Sequence, residues 1–345
     1  MDIGEAVPAV CSIMKDSYQN FVASLSACHR VLVTTHVRPD GDALGSVAAM
    51  VLALRKRGIA AEVLLLSHLP TKYAFLFQEN GIAFTDVEKA WPEPFPFDRY
   101  DALLVVDTGT WSQLPGLKER IANWDVPKLV LDHHRTQEAW ATRKLVVTEA
   151  AAAGEIVAEL LEQWGIALDA AIATCLFIAI TTDTGWFQFS NTRPFTLRLG
   201  ATLLEAGVDM DRLYKLLYQN ERAARVRLQT RTMQSLELLA NERIAVMAIT
   251  RDDFKATGAS VPDTENLINI PLQIQTVEVS ILVSEPMDFG PTRVSLRSKG
   301  QVDCAKFAEQ FGGGGHARAA GLKIDAPTAE ARKRVIDAML AVLSV

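Results

Sequence analysis

The feature that most constrains this chain is a set of short, almost unbroken aliphatic runs, three of which end in a carboxylate or an imidazole. They are "RVLVTTH" (Arg30 to His36), "LLVVD" (Leu103 to Asp107) and "KLVLDHH" (Lys128 to His134), with a fourth run, "AEVLLL", between the first two. A strand with one face in water alternates apolar and polar residues, whereas an unbroken Val/Leu run needs cover on both faces. After the first run comes "DALGSVAAMVLALRKRG", which has a helical pattern and, in Gly58, a C-terminal stop. Strands and helices that alternate in this way predict an α/β fold built on a doubly wound, mainly parallel sheet. Ligands of such sheets gather beyond the carboxyl ends of the strands, so the polar ends of these runs are expected to meet at one edge.

At 345 residues the chain exceeds the ~100–200 residues of one usual core, and two domains are expected. From about Asn191 the texture changes. "RPFTLRLGATLLEAG" and "ERAARVRLQTRTMQSLELLA" are helical with no strand between them, and "RIAVMAIT", "TVEVSILVSE" and "TRVSLRSK" then alternate as β patterns before the helical "TAEARKRVIDAMLAVLS". The predicted organisation is a catalytic domain over 1–192, a helical linker over 193–223 and a smaller α+β domain over 224–345.

A net charge of −6 excludes a broad basic face that coats long nucleic acid, but leaves room for a small anion in a local pocket. Cys11, Cys28, Cys175 and Cys304 are scattered without C-x-x-C spacing, so neither a disulfide framework nor a thiolate zinc site is expected, and a cytoplasmic location fits. The most apolar stretch, "AAIATCLFIAI" (Ala170 to Ile180), falls short of the ~20 residues that span a bilayer and predicts a buried helix, with no membrane partner. "PEPFPFD" (Pro92 to Asp98) is expected to be a surface loop.

The stretch "TTHVRPDGDALGS" places His36, Asp40 and Asp42 around Pro39 and Gly41, which favour a tight turn. Imidazole and carboxylate at this density suit Mn²⁺ or Mg²⁺ ahead of thiolate-preferring metals. Asp42, which precedes a helix, can equally serve as its N-cap. Asp107 and Asp183 each stand before Thr-Gly, a pairing also common in turns. Of six histidines, His36, His133, His134 and His316 lie in dense polar motifs, while His29 and His68 are expected to be merely exposed or satisfied. Together His36, Asp40, Asp42, Asp107, Asp132, His133, His134 and Asp183 can supply two divalent ions that share carboxylates. Such a pair, about 3.5–4 Å apart, lowers the pKa of a water and stabilises charge on a phosphoryl group, so phosphoester hydrolysis is the chemistry this set predicts.

Near the C-terminus, "GGGGHARAAG" and "VSLRSKG" are the stretches that carry chemistry. Gly312 to Gly315 would let backbone N–H groups approach an anion, and His316 and Arg318 add donors. Arg297 offers a bidentate fork for a terminal phosphate. The expected substrate contacts are Arg297, Ser298, Gly313, Gly314, Gly315, His316 and Arg318.

With these residues in view, the chain resembles the DHH phosphoesterase superfamily, whose motifs match His36-x-x-x-Asp40-x-Asp42, Asp107, Asp132-His133-His134 and Asp183, with a DHH-associated domain ending in the Gly-rich His316 signature. Within it the likeness is greatest to the oligoribonuclease/pAp phosphatase group. The resemblance implies two Mn²⁺ ions, one held by His36 and Asp40, the other by Asp42, His133 and Asp183, with Asp107 bridging. It implies that Asp132 orients its neighbours, His133 foremost, that His134 contacts the scissile phosphate, and that Asp107, Asp132 and His134 carry the catalysis. It also implies short single-stranded RNA or small nucleotides as partners and allows a homodimer. One departure is Gln188, where relatives often carry an Arg; Arg193 is the candidate to take over that role. Two other activities compete: hydrolysis of linear or cyclic dinucleotides such as pApA and c-di-AMP, and nucleic-acid binding without turnover.

Overall fold

The computed structural model describes residues 7–287 and 289–343, with side chains from Ser17 onward. The chain forms two compact units, the first ending at Gln219 and the second beginning at Asn220.

The first unit is built on six strands: β1 (Arg30–Thr35), β2 (Ala60–Leu65), β3 (Phe84–Asp86), β4 (Ala102–Val106), β5 (Lys128–Asp132) and β6 (Arg143–Val146). Their order is β3-β2-β1-β4-β5-β6 and every pair is parallel. The α/β expectation holds, and the unbroken apolar runs have the reason given for them. Val31, Val33, Leu104, Val106, Leu129 and Leu131 enter one core with the helices Gly41–Lys56, Ala153–Gln163 and Ala170–Asp183. Leu32, Leu103, Val105 and Val130 enter a second core on the opposite face. The Pro-rich segment expected as a surface loop is partly tethered to that second core, because Phe95 and Phe97 pack there with Trp91 and Trp124. Strand order reverses between β1 and β4, so the chain leaves β1 towards one edge and returns to build the other. This switch point is where a crevice opens at the strand ends.

Asp40, not Asp42, caps the helix Gly41–Lys56, accepting a hydrogen bond from the Ala43 N–H at 3.1 Å. Asp42 lies in the first turn and is fully buried. Gly58 ends the segment with φ 74°, a left-handed position that glycine takes without strain. The helix Ala170–Asp183, apolar on all sides, packs directly across Gly41–Lys56. The backbones approach closely at Gly45, where a Cβ would lie 2.4 Å from the Cys175 carbonyl oxygen.

Most of the stretch 193–223 expected to link two domains lies in the first unit, which ends at Gln219. Leu199, Leu203, Val208 and Leu213, on and beside the helices Pro194–Glu205 and Met210–Tyr218, join the large core of the first unit. Leu228, on the helix Ala223–Gln234, joins a core of the second.

The second unit is α+β. Its strands are β7 (Glu237–Leu239), β8 (Ile244–Ile249), β9 (Val279–Ser284), β10 (Thr292–Ser298), β11 (Gly314–His316) and β12 (Ala319–Ile324), in the order β11-β12-β10-β9-β8-β7. All pairs are antiparallel except β8 with β9. Val294 and Leu296 face a core closed by the helices Cys304–Glu309 and Thr328–Val342. Arg293, Ser295 and Arg297 line a cavity of about 480 Å³.

Because the backbone of one helix blocks any side chain at Gly45, Gly45→Ala is expected to destabilise the protein by ~1–3 kcal/mol. Gly58→Ala, which has no atom within 4 Å of its Cβ, should cost only the left-handed backbone strain of ~1–2 kcal/mol. Urea denaturation of the two variants checks both values.

Candidate metal centre

The polar ends of β1, β4 and β5 meet, as the runs predicted, and the end of the helix Ala170–Asp183 joins them. Asp107 directly follows β4 with φ 65°, a conformation that costs an aspartate energy but turns its carboxylate between two imidazoles. His36 Nε2 stands 3.5 Å from Asp107 Oδ2, and His133 Nε2 stands 3.4 Å from Asp107 Oδ1. His133 Nε2 also faces Asp42 Oδ2 at 3.8 Å and Asp183 Oδ2 at 3.9 Å.

Both imidazoles are anchored through their other nitrogen. His36 Nδ1 pairs with the Val37 carbonyl at 2.9 Å and His133 Nδ1 with the Ala150 carbonyl at 3.2 Å. A backbone acceptor at Nδ1 selects the tautomer that leaves the Nε2 lone pair free for a metal. Asp132, expected to orient His133, instead holds its other neighbour. Wholly buried, it accepts from the His134 backbone N–H at 3.1 Å, from His134 Nδ1 at 2.7 Å and from Gln137. His133 Nδ1 takes its acceptor from Ala150, in the segment that leads into the helix Ala153–Gln163.

Three groups of potential ligand atoms at this centre each lie within 4.8 Å of one another: His36 with Asp40 and Asp107, Asp42 with His133 and Asp183, and Asp107 with His133 and His134. Asp107 Oδ1 is buried and makes no hydrogen bond with any described residue. A carboxylate oxygen removed from water without a donor is costly, and a cation removes the cost. The donors are oxygens and imidazoles alone, which fits a hard or borderline divalent ion.

The charges are tuned around the same carboxylate. Burial pushes Asp107 up, but the imidazoles of His133 and His36 outweigh it and hold the carboxyl below its ordinary range. Burial also disfavours a charged His36 or His133, yet the facing carboxylates, Asp107 foremost, raise them to about 9 and about 10. Burial, joined by the charge of Asp107, lifts Asp183 to about 6. His134 is raised chiefly by its hydrogen bond to Asp132.

Behind this centre lies a polar network with no motif to announce it. Asp42 accepts from the Ala153 N–H at 2.6 Å, the Gly154 N–H at 2.9 Å and the Ser46 hydroxyl at 3.0 Å. The segment 150–154 thus holds His133 through a carbonyl and Asp42 through two amides. It is fastened in turn by the buried Glu155, which accepts from the Ala151 N–H at 2.9 Å, from Arg193 and from Thr196. Asn191 donates to the carbonyls of Ala151 (3.0 Å) and Asp183 (3.1 Å) and joins the two halves of the ligand set. Arg193, the candidate to replace the missing phosphate-binding Arg, is therefore committed to Glu155, and Gln188 is exposed. Of the two histidines outside the motifs, His29 is exposed and His68 pairs with Asp86 and Glu88.

In the second unit, Arg297 on β10, Ala319 on β12 and His316 on β11 stand in one cross-strand row. The Ser298 N–H donates to the Arg318 carbonyl at 3.1 Å, which brings Arg318 to the same end of the sheet. His316 and Arg318 are exposed, and Ser298 is buried with its hydroxyl accepting from the Gly300 N–H. The glycine run is also required by packing. It leads into β11, and at Gly313 and Gly315 a Cβ would strike β12 at the Gly321 carbonyl (2.4 Å) and the Ala319 carbonyl (2.5 Å). Gly314 alone of these three faces open space.

The profile of the DHH family, N-terminal domain, matches residues 30–180, and that of the DHHA1 domain matches residues 241–344. The chain belongs to the DHH phosphoesterase family. A Thermus thermophilus protein named bifunctional oligoribonuclease and PAP phosphatase NrnA is 28% identical over 90% of this chain and 89% of its own length. Among solved structures, an exopolyphosphatase-related protein from Bacteroides fragilis superposes with a TM-score of 0.81 at 21% identity, covering 96% of each chain. Exonuclease RecJ bound to manganese superposes with a TM-score of 0.52 at 16% identity, covering 95% of this chain and 94% of that one. This DHH protein is thus a metal-dependent phosphoesterase, and no helix among its described residues is long and apolar enough to cross a membrane.

Two measurements follow. At neutral pH both imidazoles carry a proton that a metal must displace, so Mn²⁺ binding should release protons and tighten as pH rises towards 9, about tenfold per unit for each imidazolium displaced. Calorimetry in buffers of different ionisation enthalpy reads the release, and an uptake of protons would contradict it. Glu155→Gln, which keeps an acceptor but removes the charge opposite Arg193, should weaken Mn²⁺ binding by ~10–100-fold, the usual cost of losing a group that orients metal ligands.

Proposed function

We propose that this protein is a Mn²⁺-dependent phosphohydrolase that degrades oligoribonucleotides of a few residues to mononucleotides and removes a phosphate from pAp. The observation that carries the reading is the buried Asp107 carboxylate, set between two ligand groups with an oxygen that no described residue satisfies. The name of the Thermus relative, which covers nearly all of this chain, supports the substrate class.

His36, Asp40 and Asp107 would hold one ion, and Asp42, His133 and Asp183 the other, with Asp107 shared. When bound, such a pair supplies a water of lowered pKa and neutralises charge on phosphoryl oxygens. The chain's own residues do the rest. Asp132 fixes the His134 ring through Nδ1 and favours its protonated form, in which Nε2 presents an N–H to a phosphate oxygen. The His134 side chain is 54% exposed and lines the cavity of the ligand set, whereas Asp132 beneath it is wholly buried. His134 is thus built to touch substrate and Asp132 to aim it. In the second unit we propose Arg297, Ser298, His316, Arg318 and the backbone of Gly313 to Gly315 as contacts for a nucleotide, supported by the convergence of both exposed His316 and Arg318 with Arg297 at one end of the sheet.

With Mn²⁺, the wild type should turn over a short RNA and pAp faster than pApA or c-di-AMP. Asp107→Ala should reduce turnover to background. His134→Ala should bind both ions yet lose ~10²–10⁴-fold in kcat, the range for removing a positioned proton donor. Faster turnover of the cyclic or linear dinucleotides would move the substrate assignment to them, and RNA affinity without hydrolysis would refute the reading.

A further inference from the structure

The cavity that holds the ligand set, about 420 Å³, continues past it along a wall made of two loops. One follows β4 and the other follows the Asp132-His133-His134 motif. They are clamped together from behind: Trp111 and Trp140 pack with ring centroids 4.4 Å apart, Trp140 Nε1 donates to the Gly109 carbonyl at 3.0 Å, and the Trp111 N–H donates to Glu138 at 3.2 Å. The Glu138 N–H also reaches the Gly109 carbonyl, at 3.1 Å. The clamp turns Thr108, Thr110, Ser112, Gln113, Arg135 and Thr136 to the cavity.

Arg135 is the only Lys or Arg that lines this cavity among the described residues, and its guanidinium makes no hydrogen bond or ion pair with any of them. Asp40, Asp107 and Asp183 line the same cavity, yet none of them lies within 4.0 Å of it. An arginine beside three carboxylates that pairs with none of them is free for an anion brought by the ligand, and its planar fork matches a phosphate. The ligand set takes the phosphate under attack, so an anion at the rim, one residue beyond His134, is a different phosphate. The hydroxyls and the amide on the wall suit ribose hydroxyls and phosphate oxygens. Neither Trp111 nor Trp140 lines the cavity, so the wall offers no aromatic face to a base, which makes it a reader of backbone and not of sequence.

We propose that Arg135 binds the phosphate adjacent to the one being hydrolysed, so that substrates with a second phosphate are preferred to those with one. This rests on the nucleotide-directed function proposed above. The test compares wild type, Arg135→Ala and Arg135→Lys with Mn²⁺ on a trinucleotide, on pAp and on bis(p-nitrophenyl) phosphate, a diester with no neighbouring phosphate. Arg135→Ala is expected to raise KM for the trinucleotide roughly 10- to 100-fold, the loss of a charge-assisted hydrogen bond, and at least tenfold more than for the aryl diester. Arg135→Lys, a point charge without the fork, should recover part of that loss. Equal losses on all substrates, or none, would overturn the inference while normal wild-type turnover left the function standing. A wild type inactive on both the trinucleotide and pAp would overturn the function and this inference with it.

Discussion

Everything at this centre depends on one buried carboxylate. Asp107 is 2% exposed and sits in a left-handed backbone position at the switch point of a parallel sheet. Such a position is a strained one for an aspartate, and strained residues persist where the surroundings over-determine them. Here the surroundings are β1 and β5 on either side, each delivering an imidazole to one oxygen of the same carboxylate. Without a metal the imidazolium charges offset the cluster of carboxylates; with one, the cation takes their place. The site is therefore preorganised by its own proton balance, at a point that the strand order fixes.

Precision in this arrangement comes from residues further back. Segment 150–154 holds His133 and Asp42 with main-chain groups, and Glu155 holds the segment. Main-chain anchors of this kind hold two side chains from different strands and helices in one geometry, which a flexible side-chain contact does not. The close approach at Gly45 serves the same end, because it seats the helix that carries Asp42 against the helix that ends in Asp183.

The fold class and the convergence of the motifs were legible because both follow from local pattern. Unbroken Val/Leu runs demand two covered faces, and parallel strands bring their carboxyl ends to one edge. Strands β3 and β6, with three and four residues, are too short to stand out from turns, so the sequence suggested fewer strands than the six present. Which partner orients which histidine was not legible. Asp132 and His133 are neighbours in sequence, but successive residues leave a strand in opposite directions, and the acceptor for His133 comes from a segment 17 residues away. Glu155 and Asn191 escaped notice, and Arg193 was matched to a phosphate and not to Glu155, for the same reason: these roles exist only after folding. The glycine run carries a second requirement that composition did not reveal, since two of its glycines are needed for close packing on β12.

The most direct test is an anomalous-difference map at the manganese edge from crystals grown with Mn²⁺. Two peaks should appear, one ligated by His36 and Asp40 and the other by Asp42, His133 and Asp183, both within about 2.0–2.3 Å of Asp107 oxygens, as divalent ions bind carboxylates. A single peak, or a pair of peaks that leaves Asp107 outside the coordination, would contradict the account.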